Sequence, residues 1–317
     1  MEYSKKVPHG IMFHHFHNDK HLKTQGSISA EDFKKILNYI GVERILSPAE
    51  WLERLVENKL KPEDICLTFD DGLLSQFEVA LPVLELFKLK AFWFVYSGVF
   101  EGKLENLEIY RLFRTKYFEN IDDFYQLFFR KVLELDLAGA ANPELEEKAI
   151  EELQTHFPFY SVNDARFRFI RDRVLGKENY ERLMDSILAE YGVNKSDLAK
   201  NLWTSNQDLK LLNDNGHLIG LHSYSHPTAL ADLSYQEQFE EYHKNYLHLK
   251  RACGKNPIAM SHPANSYNED TLKILREFGI YCGFLSNMVS KPLARNRLAA
   301  NNLEISREDH ANLIRVL

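Results

Sequence analysis

The sequence predicts an α/β chain, built on a parallel sheet or barrel and interrupted by a large helical insertion. Three observations carry this. Short apolar runs alternate with amphipathic segments through residues 1–100. The alternation returns over 205–317. Between them, residues 101–204 carry Leu, Phe and Tyr at helical spacing with few strand-like runs. At 317 residues and 44% hydrophobic content, the chain can fill one core of barrel size or two ordinary ones. The formal net charge of -7 weighs against non-specific binding to a nucleic-acid backbone, so no nucleic-acid partner is expected.

The elements follow in order. Residues 10–17, Gly-Ile-Met-Phe-His-His-Phe-His, read as a first strand with polar side chains at its far end. Ser29 caps a helix over Ala30–Ile40, and Pro48 opens another that runs to Asn58. Residues 65–72, Ile-Cys-Leu-Thr-Phe-Asp-Asp-Gly, form an apolar strand that ends on two acids and a glycine turn. Residues 75–89 read as a helix kinked or started near Pro82, and 91–96 as a buried strand. Beyond the helical block, helices are expected at 208–215, 234–253 and 268–278, the last stopped by Gly279. Strands are expected at 217–222, 257–262, 281–285 and 303–305, with a terminal helix after them. In such a parallel βα arrangement, working side chains gather at the C-terminal strand ends.

Arg166, Arg168, Arg171 and Arg173 cluster inside the insertion. They read as a solvated helix face, with a phosphate-binding patch as the sharper alternative. The three cysteines are widely spaced with no CxxC pair, as expected for reduced thiols. The N-terminus lacks the apolar core of a signal peptide, and no run approaches ~20 apolar residues. A soluble cytoplasmic protein with no stable membrane insertion is the expectation.

Two constellations can carry chemistry. Asp70 and Asp71 are adjacent acids at a strand end, costly to bury together unless one holds a metal ion while the other works as a base. The bland alternative is a turn or helix cap. His222-Ser-Tyr-Ser-His226 follows the apolar run 218–221, so it too sits at a strand end. An i, i+4 histidine pair on one face of a helical turn can hold one metal ion. One Asp and two His leave positions open for water and substrate, as hydrolytic metal sites require. The second Asp can then accept a proton from the attacking water. Among the N-terminal histidines, His15 and His17 share one strand face and His14 shares that of Met12. One of them is expected to line a substrate pocket, a second metal site being the minority reading. Trp93 and Tyr96 read as core, with stacking on a sugar ring as the alternative.

Thr68-Phe-Asp-Asp-Gly72 together with His222-Ser-Tyr-Ser-His226 resembles the polysaccharide deacetylase family, the NodB-homology group of carbohydrate esterases. Phe13-His14, Ile28–Phe33, Ser261-His-Pro-Ala-Asn-Ser-Tyr267 and Leu272–Gly279 resemble further family segments, so the resemblance spans about two-thirds of the chain. It implies a distorted (β/α) barrel, expected to be seven-stranded, with a divalent metal, usually zinc. It also implies loss of an acetyl group from an amino sugar or glycan precursor. Carried over residue by residue, Asp71, His222 and His226 are the metal ligands and Asp70 the catalytic base.

The chain departs from the pattern where many members place an arginine before the proline of the third motif; here Ser261 and His262 precede Pro263. Arg307 is expected to replace that arginine, and His310 to supply the general acid. The alternatives are a surface ion pair for Arg307 and a plain helix residue for His310. His14, His262, Pro263, Asn265 and Tyr267 are the expected substrate contacts. An O-acetyl esterase or deformylase would use the same site, and a carbohydrate-binding pseudoenzyme is the reading from another class.

Overall fold

Seven short parallel strands, almost wholly buried, set the architecture. They are β1 (His9–Phe13), β2 (Ile65–Asp70), β3 (Phe92–Val95), β4 (Leu218–Leu221), β5 (Ala259–Ser261), β6 (Cys282–Phe284) and β7 (Arg307–Asp309). The computed structural model describes residues 3–5, 7–135, 143–156, 160–289 and 300–317. The strand order is β6-β5-β4-β3-β2-β1-β7. Ile305, just ahead of β7, bridges back to Phe284 of β6, so the two sheet edges nearly meet. This is the expected distorted (β/α) barrel. It belongs to one compact unit, Met1–Glu105 with Asn201–Leu317; a second unit, Asn106–Lys200, is inserted between β3 and β4.

Strand alternation separates two apolar layers. One face contributes Cys66, Phe92, Phe94, Ala259, Cys282 and Phe284, packed with Ile305 and with Trp51 and Leu52 of the helix Pro48–Val56. The other face contributes Phe13, Leu67, Phe69, Trp93, Leu221 and Met260, packed against helical residues such as Phe33, Leu84 and Leu249. Several barrel helices start on a reciprocal cap: Ser29 with Asp32, Ser47 with Glu50, Ser205 with Asp208, Ser234 with Glu237. The cysteines are buried free thiols. No helix among the described residues is long and apolar enough to cross a membrane.

Two strand expectations need correction. The first strand stops at Phe13, and His14 to His17 continue as loop. The last strand is the polar run Arg307–Asp309 instead of 303–305, because it pairs with β1 (Gly10 beside Arg307) while 305 makes only a bridge.

The inserted unit has an aromatic core of Phe113, Phe124, Phe128, Phe167 and Tyr180. The Arg114 guanidinium lies over the rings of Phe124 and Phe167. Arg166, Arg168 and Arg171 pair with Glu146, Asp164 and Asp172, and Arg173 is exposed. Arg166 and Arg173 fit the solvated-face reading, whereas Arg168 and Arg171 are half-buried over the Tyr160 and Phe167 rings.

His217 gives the barrel a pH-dependent joint. Its Nδ1 accepts from the Ala91 N–H (3.1 Å) and the Trp93 Nε1–H (3.2 Å), so that nitrogen carries no proton. Burial, then Lys90, lowers the pKa from 6.5 to about 4. The unfolded chain therefore takes up the proton first as pH falls. Stability from this residue is complete above about pH 6.5 and is lost towards pH 4, by on the order of 3 kcal/mol. Urea denaturation at pH 7 and pH 5 should show a smaller acid loss in H217Q, whose amide oxygen is an acceptor that does not titrate, than in the wild type.

Candidate active site

The pleat of β2 puts Cys66, Thr68 and Asp70 on one face. Asp70 meets Arg307, which reaches it from β7. Arg307 Nη1 donates to Asp70 Oδ1 and Nη2 to Oδ2, both at 2.7 Å, a two-pronged fork between side chains 0% and 3% exposed. The fork is itself held: Nε donates to the Leu285 carbonyl, and the terminal nitrogens also donate to Thr68 Oγ1 (3.2 Å) and Ser261 Oγ (3.3 Å). The Arg307 stem passes over Gly10, where a Cβ would sit 3.0 Å from Arg307 Cγ. Burial pushes the Asp70 carboxyl up, but Arg307, followed by His222 and His14, more than offsets it and holds the carboxyl below its ordinary value.

Immediately after β2 the backbone enters the left-handed region twice, at Asp71 (φ 78) and Gly72 (φ 64). A Cβ on Gly72 would lie 3.0 Å from Val95 Cγ1. This turn is fastened by residues 202–204. Leu74 N–H donates to the Leu202 carbonyl (2.8 Å), and the Thr204 N–H and hydroxyl both donate to the Gly72 carbonyl (3.0 Å each). It delivers Asp71 Oδ1 to within 3.4 Å of His222 Nε2 and 3.6 Å of His226 Nε2.

The histidines converge by a route that spacing does not reveal. Residues 222–226 form an irregular turn, not a helical one, with Ser223 (φ 64) and His226 (φ 54) both left-handed. The His222 N–H donates to Asn245 Oδ1 (3.0 Å), and Asn245 Nδ2 donates to the Val95 carbonyl (2.9 Å). His222 Nδ1–H donates to the Ser261 carbonyl (2.9 Å), which turns Nε2 towards Asp71. Tyr96 walls the site, its ring 5.1 Å from that of His226 and its hydroxyl accepting from Trp203 Nε1. On the opposite side of the turn, the Gly98 N–H donates to the Tyr224 carbonyl (2.7 Å), and the Tyr224 hydroxyl donates to Glu101 (2.9 Å).

The donor set fits a divalent metal. Asp71, His222 and His226 offer ligand atoms within 4.8 Å of one another. Tetrahedral ligands at ~2.0–2.1 Å from an ion stand about 3.3–3.4 Å apart, close to the distances seen. Asp71 Oδ1 is buried without a hydrogen bond, an orphaned acceptor that a cation would satisfy. Burial opposes ionisation of Asp71, but the neighbouring imidazoles of His222 and His226, with His14 behind them, more than offset it and hold its carboxyl well below the usual range.

The remaining expected site residues divide. His14 comes to the centre: its Nε2 stands 3.8 Å from Asp70 Oδ2, with the side chain 27% exposed. His310 does not. Its Nδ1 and Nε2 face the carbonyls of Met12 (3.1 Å) and Gly26 (3.0 Å), and its ring stacks on Phe13, so both nitrogens are committed to the backbone. His262 is 1% exposed, donates Nε2 to the Leu303 carbonyl and stacks on Tyr267; burial lowers its pKa to about 4. Pro263 is buried, Asn265 Oδ1 accepts from the Ser286 N–H, and the Tyr267 hydroxyl donates to Glu304. His262, Asn265 and Tyr267 thus tie this loop to its neighbours, with Asn265 and Tyr267 still part-exposed. Ser261, Asn245 and Gln76 were not expected. Gln76 Nε2 donates to the carbonyls of His14 and Asp70, tying two strand ends. Ser261 closes β5 and Gln76 follows the end of β2, a placement that points to such groups, whereas Asn245 lies inside the helix Tyr235–Cys253 and has no such signal.

The family model of polysaccharide deacetylase matches this chain. The match covers residues 175–283, which hold the His222–His226 turn and the third motif, and bears out the resemblance. Solved structures share the fold at low identity. The deacetylase PplD of Streptococcus pyogenes, described in complex with acetate, has 18% identity and a TM-score of 0.55, covering 97% of this chain and 93% of its own. IcaB from Ammonifex degensii has 15% identity and a TM-score of 0.56 over the same shares. A de-N-acetylase from Aggregatibacter actinomycetemcomitans has 11% identity and a TM-score of 0.54, covering 95% and 93%. No curated protein matches the chain.

Removing the arginine should expose how much the fork matters. R307M leaves a buried carboxylate uncompensated and is expected to cost about 3–5 kcal/mol in urea denaturation. R307K, with a single ammonium that cannot form the fork, should recover only part of that loss.

Proposed function

We propose that the chain is a metal-dependent hydrolase that removes an N-acetyl or similar small acyl group from an amino sugar or sugar-containing biosynthetic intermediate. The observation that carries this reading is the convergence of Asp71, His222 and His226 beside a second carboxylate, Asp70, gripped by Arg307. The family match and the deacetylase names of the structural neighbours support it.

Asp71, His222 and His226 would hold the ion, zinc being suited to two imidazoles and a carboxylate; when bound it supplies Lewis acidity towards the acyl carbonyl and an acidified water. Asp70 accepts the proton of the attacking water. Arg307 keeps that carboxylate ionised and fixes its plane, with Ser261 donating to Oδ2 (3.1 Å). As the C–N bond breaks, the leaving nitrogen needs a proton. His14 takes this role in place of His310, because it is partly exposed beside Asp70 while both His310 nitrogens face carbonyls. A backbone N–H of the 263–265 turn is the proposed partner for the developing oxyanion.

Mass spectrometry of acetylated amino sugars, free and nucleotide-linked, incubated with zinc-loaded protein should show loss of acetyl with release of acetate. Running O-acetyl and N-formyl substrates in parallel separates the esterase and deformylase alternatives. D70N should bind zinc as the wild type does yet lose turnover; retained turnover would reject Asp70 as the base. H14A should lower kcat by about 10²–10⁴-fold. H310N should mainly lower the melting temperature, and a kcat loss equal to that of H14A would return the acid role to His310.

A further inference from the structure

The turn that carries His222 and His226 holds two non-glycine residues at positive φ, which an isolated chain resists. Something outside the turn must hold it. One face of the helix Tyr235–Cys253 does so with residues one turn apart. Asn245 grips the start, as described. Glu241 grips the middle: its Oε2 accepts from the N–H groups of Tyr224 (3.0 Å) and Ser225 (2.8 Å), and its Oε1 accepts from the Ser225 hydroxyl (2.7 Å). Inside the turn, Ser223 Oγ accepts from the His226 N–H (3.1 Å). One side chain therefore satisfies three of the turn's donors and fixes the segment between the two histidines.

We infer that Glu241 is a positioning residue for the metal centre, acting through the backbone of Tyr224 and Ser225 to set the separation of His222 and His226 before an ion binds. This rests on the metal reading above. What matters is acceptor geometry more than charge. A glutamine can place its oxygen where Oε2 accepts both N–H groups and donate its amide to Ser225 Oγ, so all three bonds survive in E241Q. Leucine keeps the bulk and loses them all.

The test uses the full chain. Zinc affinity is measured by competition with a chromophoric chelator, cobalt(II) geometry by visible absorption, and the Tyr224 and Ser225 amides by hydrogen exchange. E241L is expected to bind zinc about 10–100-fold more weakly, with an altered cobalt spectrum and rapid exchange at both amides. E241Q should stay within a few-fold of the wild type. E241L binding zinc as tightly as the wild type, with the same cobalt spectrum, would overturn the inference, as would an E241Q loss as large as that of E241L. Should E241L not fold, S225A removes one of the three bonds and should weaken zinc a few-fold with a shifted cobalt spectrum; no change there overturns it equally. If the wild type binds neither ion, the metal reading itself fails, whereas amide protection at 224 and 225 still reports whether Glu241 holds the turn.

Discussion

The fork between Arg307 and Asp70 is the constraint on which the rest depends. It places a cation and an anion beside an apolar layer that includes Phe92, Phe94, Phe284 and two thiols. Such a pair survives desolvation only where its other hydrogen-bonding positions are also filled. Leu285, Thr68 and Ser261 fill them, and they come from near β6, from β2 and from β5. The pair therefore requires the barrel to be nearly closed: β7 must lie beside β1, and its first residue must pass a glycine there.

Around this fixed pair, Asp71, His222 and His226 sit on turns, not on regular elements. Asp71, Ser223 and His226 all occupy the left-handed region, an arrangement that costs energy locally and is held by bonds from elsewhere. Burial and polarity divide the labour between the two neighbouring acids. One carboxylate accepts from a guanidinium at both oxygens and from a hydroxyl at one of them, keeping a lone pair on Oδ1. The other keeps an oxygen without a donor, facing two imidazoles.

Much of this was legible in the sequence. Strands β2 and β3 are buried on both faces and read as unbroken apolar runs, and the Asp pair and the His pair stood out by position and spacing. The last strand was not legible, because Arg-Glu-Asp has no apolar pattern and becomes a strand only by lying against β1. Nor was the shape of the His turn, since i, i+4 spacing fits a helix as well as a kinked loop. The places of His310 and His14 were hidden for a similar reason. What a histidine ring reaches depends on which groups face it, and Gly26 and Met12 are far from residue 310 in the chain.

The seams of the insertion have a consequence of their own. The outgoing chain is stitched at Gly98 and Glu101 to the histidine turn, and the returning chain at Leu202 and Thr204 to the aspartate turn. The aspartate turn and the histidine turn thus each lean on one border of the inserted segment, although none of these residues belongs to the helical unit itself. A graft that swapped the helices between 106 and 200 for others could respect both borders and leave these two turns alone. One cut a few residues further out would unpick a turn on each side. The borders, more than the helices they lead to, are where a change of sequence would reach the Asp71 and His222–His226 turns.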